Sequence, residues 1–285
     1  MSKDKIEKTK ITIPMLRNLY HQDQKISAIT AYDYTMARIV DSADVDIVLV
    51  GDSLGMVVQG ETNTLPVDID HMIYHTKCVS KGIKKAHVMA DMPFMSYQSS
   101  HEDAVSNAGK LLKAGAESIK LEGGEEIADL VWYLNKIGIP VMGHIGLKPQ
   151  SIHTMGGYKA QGRSKVDADN IFNDAQALEE AGAFGLLLEG IPQEVANEIT
   201  QSVNIPTIGI GSGPDCSGQI LVVYDVLGAD PEFKPKFVRH YMNMHESASK
   251  ALKTYIKDVQ DGFFPNEAES MHRNLVEVKA GGGKK

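Results

Sequence analysis

The sequence predicts a single (β/α)8 barrel, or TIM barrel, over residues 1–265, and two observations carry this prediction. Short apolar runs recur along the chain, and each is followed by a longer segment with helical patterning. The runs are continuously apolar, which is typical of parallel strands buried on both faces. Eight such units imply closure into a barrel, and 285 residues suit one such domain because barrels of about 250 residues are common.

The eight predicted strands end close to a glycine, an acidic residue or a histidine. They cover residues 26–30, 47–50, 87–90, 118–121, 140–143, 185–188, 206–210 and 219–223. The last run also fits the start of a helix after Gly218. A doubly wound open sheet is therefore the alternative architecture.

The segments between the runs carry helix signals. Residues 102–113 and 168–181 each lead into an Ala-Gly-Ala sequence that places glycine where a helix C-terminus favours it. Residues 125–136 precede a glycine, and residues 193–201 follow Pro192, which suits a first helical turn. These four segments are the clearest predicted helices.

The end of the chain departs from the repeat. Residues 234–261 are predicted to form a long amphipathic helix after the last strand. Residues 266–285 are predicted to be a tail whose glycine-rich end is disordered. A connection rich in glycine and lysine, residues 146–166, is long enough to be either functional or disordered.

Composition and charge exclude several classes of function. The formal net charge of −8 argues against nucleic-acid binding, which needs a basic face. No apolar run reaches the roughly 18 residues of a membrane-spanning helix, and the charged start of the chain has no signal-peptide core. The two cysteines form no CxxC pair, so we expect neither a disulfide framework nor a zinc ribbon, and a cytoplasmic setting.

Ionisable side chains follow one predicted strand after another. The active site of such a barrel lies at the carboxyl ends of its strands, so these side chains should converge on one mouth. They are the carboxylates Asp52, Asp91, Glu122 and Glu189 together with Lys120 and His144, and the hydroxyl of Ser53 lies beside Asp52 in the sequence.

Each of these residues has a structural explanation when taken alone. Asp52 or Ser53 could cap a helix, Lys120 and Glu122 could form a local ion pair, and His144 could be a hydrogen-bonded core residue. Their repeated occurrence at the same end of successive strands favours a functional site instead.

The charges of this group indicate a metal and an anionic substrate. Neighbouring carboxylates repel each other unless a cation lies among them. Oxygen ligands favour Mg²⁺ or another hard divalent cation over zinc. Such a site could bind a 2-oxo acid, with Lys120 balancing its charge and the metal stabilising an enolate.

Two other patterns resemble binding sites but are weaker signals. His71 and His75 are four residues apart on a predicted helix, but the glutamate of an HExxH zinc motif is missing. The glycines of residues 209–213 follow the seventh strand, where barrels often bind phosphate, although a tight turn explains them equally well.

Several motifs in a fixed order resemble the ketopantoate hydroxymethyltransferase family over nearly the whole chain. They are TAYDYTMA (30–37), VGDSLGMVVQG (50–60), TLPV (64–67), ADMPFMSY (90–97), IKLEGG (119–124), GHIGLKPQS (143–151), GGYKAQGR (156–163), LLLEGIP (186–192), IGIGSG (208–213) and GQILVVYD (218–225). Ser217 and Gly190 depart from this resemblance, at positions where an acidic residue and a cysteine are expected.

The resemblance implies transfer of a hydroxymethyl group from 5,10-methylenetetrahydrofolate to 3-methyl-2-oxobutanoate, giving 2-dehydropantoate, by a homodecameric enzyme. It implies that Asp52 and Asp91 bind Mg²⁺ directly and that Glu122 is an outer or water-mediated partner. Glu189 is the expected general base, which removes the C3 proton of the oxo acid. The expected substrate contacts are Asp52, Ser53, Asp91, Lys120 and His144.

Two rival functions remain open from the sequence. One is a related barrel enzyme, a 2-oxo acid carbon–carbon lyase or phosphonate mutase, although the cysteine-bearing loop expected of such lyases is missing. The other is a barrel that binds without catalysing, which the carboxylates Asp52, Asp91 and Glu189 disfavour, because folding alone does not require them.

Overall fold

The computed structural model describes residues 9–272, which form a closed barrel of eight parallel strands in sequential order. Closure confirms the predicted (β/α)8 architecture and excludes the doubly wound sheet. The strands are β1 Ile26–Thr30, β2 Ile47–Val50, β3 His87–Asp91, β4 Ser118–Glu122, β5 Val141–Gly146, β6 Gly185–Glu189, β7 Thr207–Ile210 and β8 Gly218–Leu221.

The α-helices surround the barrel or follow it. They are α1 Ile13–His21, α2 Tyr34–Ser42, α3 Leu54–Val57, α4 Ile69–Gly82, α5 His101–Ala114, α6 Ala128–Lys136, α7 Ile152–Met155, α8 Lys165–Glu180, α9 Gln193–Ser202, α10 Val223–Leu227 and α11 Met244–Gln260. Short 3₁₀ turns occupy Glu125–Ile127, Pro149–Ser151 and Glu267–Glu269. Within residues 9–272, no helix combines the length and apolar character that crossing a bilayer requires.

Two hydrophobic clusters hold the barrel together. The larger one lies between the sheet and the helices and includes Val50, Ala90 and Leu188 of the strands and Leu111 of α5. The smaller one fills the barrel interior and includes Leu16 of α1 and Ile26 of β1, two elements that are in contact. Because Ile26 begins its strand, α1 covers the end of the barrel opposite the carboxyl ends of the strands.

The strand register places the predicted site residues beside one another. Asp91 is paired with Lys120 across β3 and β4, and Glu122 is paired with His144 across β4 and β5. Glu189 at the end of β6 is level with Gly146. A side chain at Gly146 would collide with the Glu189 carbonyl, since its Cβ would lie 2.4 Å from that oxygen.

Several predicted boundaries were inexact, and one helix was wrong over its first ten residues. The strand predicted at residues 140–143 extends to Gly146, so His144 lies within β5. The helix predicted from residue 234 begins at Met244, because Asn243 caps it by accepting a hydrogen bond from the Glu246 N–H, and Pro235 interrupts the preceding segment. The predicted disordered end of the tail lies outside the described residues.

Residues 146–166 are not a structureless connection. They include the 3₁₀ turn Pro149–Ser151 and α7, which ends at Gly156 in the left-handed conformation. Gln150 in this segment is buried, so the segment is tied to the mouth of the barrel.

Candidate active site

One cavity of about 360 Å³ opens at the carboxyl ends of the strands. Every site residue predicted from the sequence lines it, namely Asp52, Ser53, Asp91, Lys120, Glu122, His144 and Glu189. The structure therefore brings together seven side chains from five strands and the segments that follow them.

An ion pair lies at the floor of this cavity. The Lys120 ammonium is 3.1 Å from Oδ1 of Asp91, and both side chains are at most 5% exposed. Oδ2 of Asp91 accepts a hydrogen bond from the Asp52 backbone N–H at 2.9 Å. Asp91 thus fixes both the ammonium and the turn after β2 that presents the Asp52 carboxylate.

The carboxylates at the floor carry more negative charge than one lysine balances. Burial, reinforced by Asp91 and Glu122, raises the pKa of Asp52 well above its ordinary value. Burial also raises the pKa of Asp91, although Lys120 partly offsets this. Desolvation disfavours the Lys120 ammonium, but the surrounding carboxylates outweigh it and raise the lysine pKa. The site would therefore bind another cation favourably.

His144 connects the floor of the cavity to Glu189. Its Nδ1 is 3.2 Å from the Lys120 ammonium, and its Nε2 is 3.3 Å from Oε2 of Glu189. Nδ1 also lies 3.5 Å from Oε1 of Glu122. Burial disfavours the charged imidazole, but the contacts with Glu122 and Glu189 outweigh it and raise the pKa of His144. The Glu189 side chain is 22% exposed, whereas Asp91 and Glu122 are at most 3% exposed. Glu189 is therefore the carboxylate of this cluster that is most open to a substrate.

Gln150 is a site residue that the sequence analysis missed. Its Nε2 donates to Oδ2 of Asp52 and to the Met92 carbonyl, each at 2.9 Å. Its backbone N–H donates to Oε2 of Glu122 at 2.9 Å, and its Oε1 accepts from Tyr97 at 3.0 Å. Gln150 thereby links carboxylates after β2 and in β4 to the segment that follows β5.

Replacing Gln150 by methionine should lower the free energy of unfolding by about 1–3 kcal/mol. Methionine has a similar length but cannot donate to Asp52 or Met92, so buried acceptors lose their partner. Urea unfolding would measure the change, with the exposed Gln201→Met as the control. An equal loss in the two variants would contradict the role of this network.

The two weaker sequence patterns have structural explanations. His71 accepts a hydrogen bond from the Asp68 N–H in a capping box at the start of α4, and Nδ1 of His75 is 2.6 Å from the Tyr32 carbonyl. The imidazoles of His71 and His75 therefore contact different partners, Asp68 and Tyr32. In the glycine run, Gly211 and Gly213 have positive φ angles, as a tight turn after β7 requires.

Comparisons with known proteins identify close relatives. The family described as ketopantoate hydroxymethyltransferase matches residues 10–267. The chain is 50% identical over 262 residues to 3-methyl-2-oxobutanoate hydroxymethyltransferase of Thermoanaerobacter sp. (strain X514), covering 92% of this chain and 96% of the relative. It is 48% identical to the enzyme of that name in Clostridioides difficile (strain 630), covering 95% and 98% of the two chains.

Solved structures with low sequence identity share the fold. A phosphonopyruvate hydrolase complex with oxalate and Mg²⁺ has a TM-score of 0.59 at 13% identity and covers 91% of this chain and 93% of its own. A 2,3-dimethylmalate lyase of the PEP mutase/isocitrate lyase superfamily has a TM-score of 0.56 at 15% identity, with 93% and 91% covered. At this identity the likeness concerns the barrel alone.

Proposed function

The chain belongs to the ketopantoate hydroxymethyltransferase family, and on this premise we propose how its active site carries out the reaction. The enzyme transfers a hydroxymethyl group to 3-methyl-2-oxobutanoate and gives 2-dehydropantoate. The proposed one-carbon donor is 5,10-methylenetetrahydrofolate. The observation that carries the proposal is the cavity in which Asp52, Asp91, Lys120 and Glu189 converge.

The residues at the floor fit a hard divalent cation such as Mg²⁺. Oδ1 of Asp91 and Oε1 of Glu122 are buried and have no hydrogen-bond partner, although both lie near the Lys120 ammonium. Among the described residues, no group of three or more His, Cys, Asp or Glu side chains is arranged as a complete set of metal ligands. Magnesium commonly uses one or two carboxylates and completes its shell with water and substrate oxygens.

We assign Asp52 and Asp91 as the direct metal ligands and Glu122 as an outer partner. Gln150 and His144 already contact Glu122, which supports the indirect role. When bound, the cation would offset the charge of the carboxylates and polarise the carbonyl of the oxo acid.

The remaining residues bind the oxo acid and move its proton. Glu189 can accept the C3 proton because its carboxylate is partly open to the cavity and is not paired with Lys120. Lys120 supplies positive charge for the enolate oxygen that develops. Ser53, whose hydroxyl is 2.8 Å from that of Tyr32, and His144 complete the contacts to the oxo acid.

Turnover of 3-methyl-2-oxobutanoate with 5,10-methylenetetrahydrofolate tests the proposal. We expect 2-dehydropantoate to form in the presence of Mg²⁺ and to fall to background after chelation. Lack of product would contradict the proposed donor. Binding of the oxo acid without any turnover would instead favour the non-catalytic rival, and cleavage of a 2-oxo acid would favour the lyase.

We also propose that the chain forms a homo-oligomer, with the decamer implied by the family resemblance as the expected state. Helix α11 supports this, because none of its residues is buried. Its large apolar residues recur at helical spacing and are 46–61% exposed. They are Leu252, Tyr255, Ile256 and Val259.

The cellular setting that we propose is the cytoplasm, where free thiols such as Cys78 and Cys216 persist.

The double variant Leu252→Glu with Ile256→Glu should have a smaller assembly mass than the wild type. Two carboxylates on the apolar stripe would make its burial against another subunit unfavourable. Light scattering coupled to size exclusion measures the mass. Lys250→Glu with Lys253→Glu, on the polar side of the same helix, is the control. An unchanged mass in the first variant would show that α11 lies outside the subunit interface.

A further inference from the structure

The outer part of the active-site cavity differs from its charged floor. Aromatic rings line it, and Tyr158, Phe233 and Phe237 are 43–49% exposed, whereas the floor residues Asp91 and Lys120 are buried. Exposed rings beside a catalytic cavity are suited to packing against a flat ligand ring. The reaction at the floor uses none of them.

The position of Phe237 depends on the turn after β7. Gly211 has a φ of +62°, and a Cβ added there would lie 3.4 Å from the Phe237 ring. The ring therefore packs on a glycine turn at the carboxyl end of β7. The ring of Tyr158, in the segment after β5, is also held in position, because its hydroxyl donates a hydrogen bond to the Met56 sulfur at 3.6 Å.

A carboxylate lies in the same outer region. Asp225, in α10 after β8, lines the cavity and is partly buried. Among residues 9–272, no hydrogen bond or ion pair reaches its side-chain oxygens, and burial raises its pKa to about 6. His240 and Asp230 are the charged groups that influence it, with opposite effects. A partly desolvated carboxylate without a donor is unfavourable, so a ligand with adjacent N–H donors would stabilise it.

Cations accompany the aromatic residues. In the sequence KPKFVR, residues 234–239, Lys234, Lys236 and Arg239 are exposed beside Phe237. Neither lysine ammonium has a hydrogen bond or ion pair within the described residues. Three cations in six residues are a local positive patch on a chain with a net charge of −8. Such a patch favours an anionic group on the ligand.

We propose that Asp225, Phe233 and Phe237 form the subsite that binds the flat amino-oxopyrimidine ring of the proposed one-carbon donor, next to cations that attract its anionic tail. This inference rests on the proposed function, because a reduced folate has this chemistry. Asp225 accepts hydrogen bonds from the ring N–H and the neighbouring amino group. Phe233 and Phe237 pack against the ring, and Lys234 with Lys236 attracts the carboxylates of the tail.

The first test is Asp225→Asn, which preserves shape but replaces one acceptor with a donor. We expect the KM for 5,10-methylenetetrahydrofolate to rise roughly 10- to 100-fold, since a charge-assisted hydrogen-bond pair is lost. Exchange of the oxo acid C3 proton with solvent deuterium needs no folate and should keep its wild-type rate. The exposed Asp169→Asn, in α8 and outside the cavity lining, is the matched control and should change neither quantity.

Two further variants test the ring and tail contacts. Phe237→Leu should raise the same KM, while Phe263→Leu, an exposed phenylalanine after α11, should not. Lys234→Gln with Lys236→Gln should narrow the KM difference between polyglutamylated and monoglutamylated donors. Wild-type folate KM values in Asp225→Asn and Phe237→Leu would overturn the subsite, as would slowed C3 exchange in Asp225→Asn. Wild-type enzyme that exchanges C3 but never uses the folate would instead overturn the proposed donor, and the subsite with it.

Discussion

Replacing Glu189 by glutamine should lower the rate of C3 proton exchange in 3-methyl-2-oxobutanoate by about 10²–10⁴-fold, the usual contribution of a general base. Glutamine has nearly the shape of glutamate but cannot accept the proton. Since we assign the metal to Asp52 and Asp91, the variant should still bind Mg²⁺ and the oxo acid. Proton NMR of the C3 signal in deuterated buffer gives the rate, and calorimetry gives the binding.

The control for this variant is Glu194→Gln, which makes the same chemical change at an exposed position in the first turn of α9. It should exchange the C3 proton at the wild-type rate. If Glu189→Gln also does so, another group takes the proton. His144 is then the next candidate, because its Nε2 is 3.3 Å from the Glu189 carboxylate.

The barrel and the convergence of the candidate site residues on one cavity could be predicted because both follow local rules. A strand buried on both faces is a continuous apolar run, and the ionisable residue that ends the run must lie at the carboxyl mouth of a closed barrel. Asp91, Lys120 and Glu189 are therefore expected at one mouth from the sequence alone, and the structure places them in one cavity. The strand ends are predicted less well, because nothing in the local sequence shows that β5 continues through His144 to Gly146.

The residues that were missed lie outside the regular repeat. Gln150 belongs to a 3₁₀ turn and acquires its role only when the barrel brings Asp52 and Glu122 next to it. Asp225 was part of a recognisable motif, but its lack of a partner is visible only in three dimensions. The segment before α11 is not helical although its pattern predicts a helix, because Asn243 caps α11 and Pro235 interrupts the preceding segment.

Asp91→Asn should reduce turnover at least about 100-fold, more than the loss of an outer-shell metal partner usually costs. The asparagine oxygen can keep the hydrogen bond from the Asp52 N–H, but its amide then faces the Lys120 ammonium, which is 3.1 Å from Oδ1 in the wild type. Two donors face each other in that geometry. The variant should therefore lose the metal ligand that we assign to Asp91 and also displace the lysine that we assign to the enolate oxygen.

Calorimetric titration with Mg²⁺ in the presence of the oxo acid separates these two effects, and urea unfolding shows whether the fold is intact. The control is Asp174→Asn, a carboxylate away from the cavity that accepts a hydrogen bond from the Glu125 N–H at 3.0 Å. If Asp91 is a metal ligand, Mg²⁺ binding should weaken in Asp91→Asn and remain normal in the control. Normal Mg²⁺ binding with reduced turnover would instead make Asp91 the partner of Lys120 alone, because the ammonium loses its counter-charge while the metal site survives.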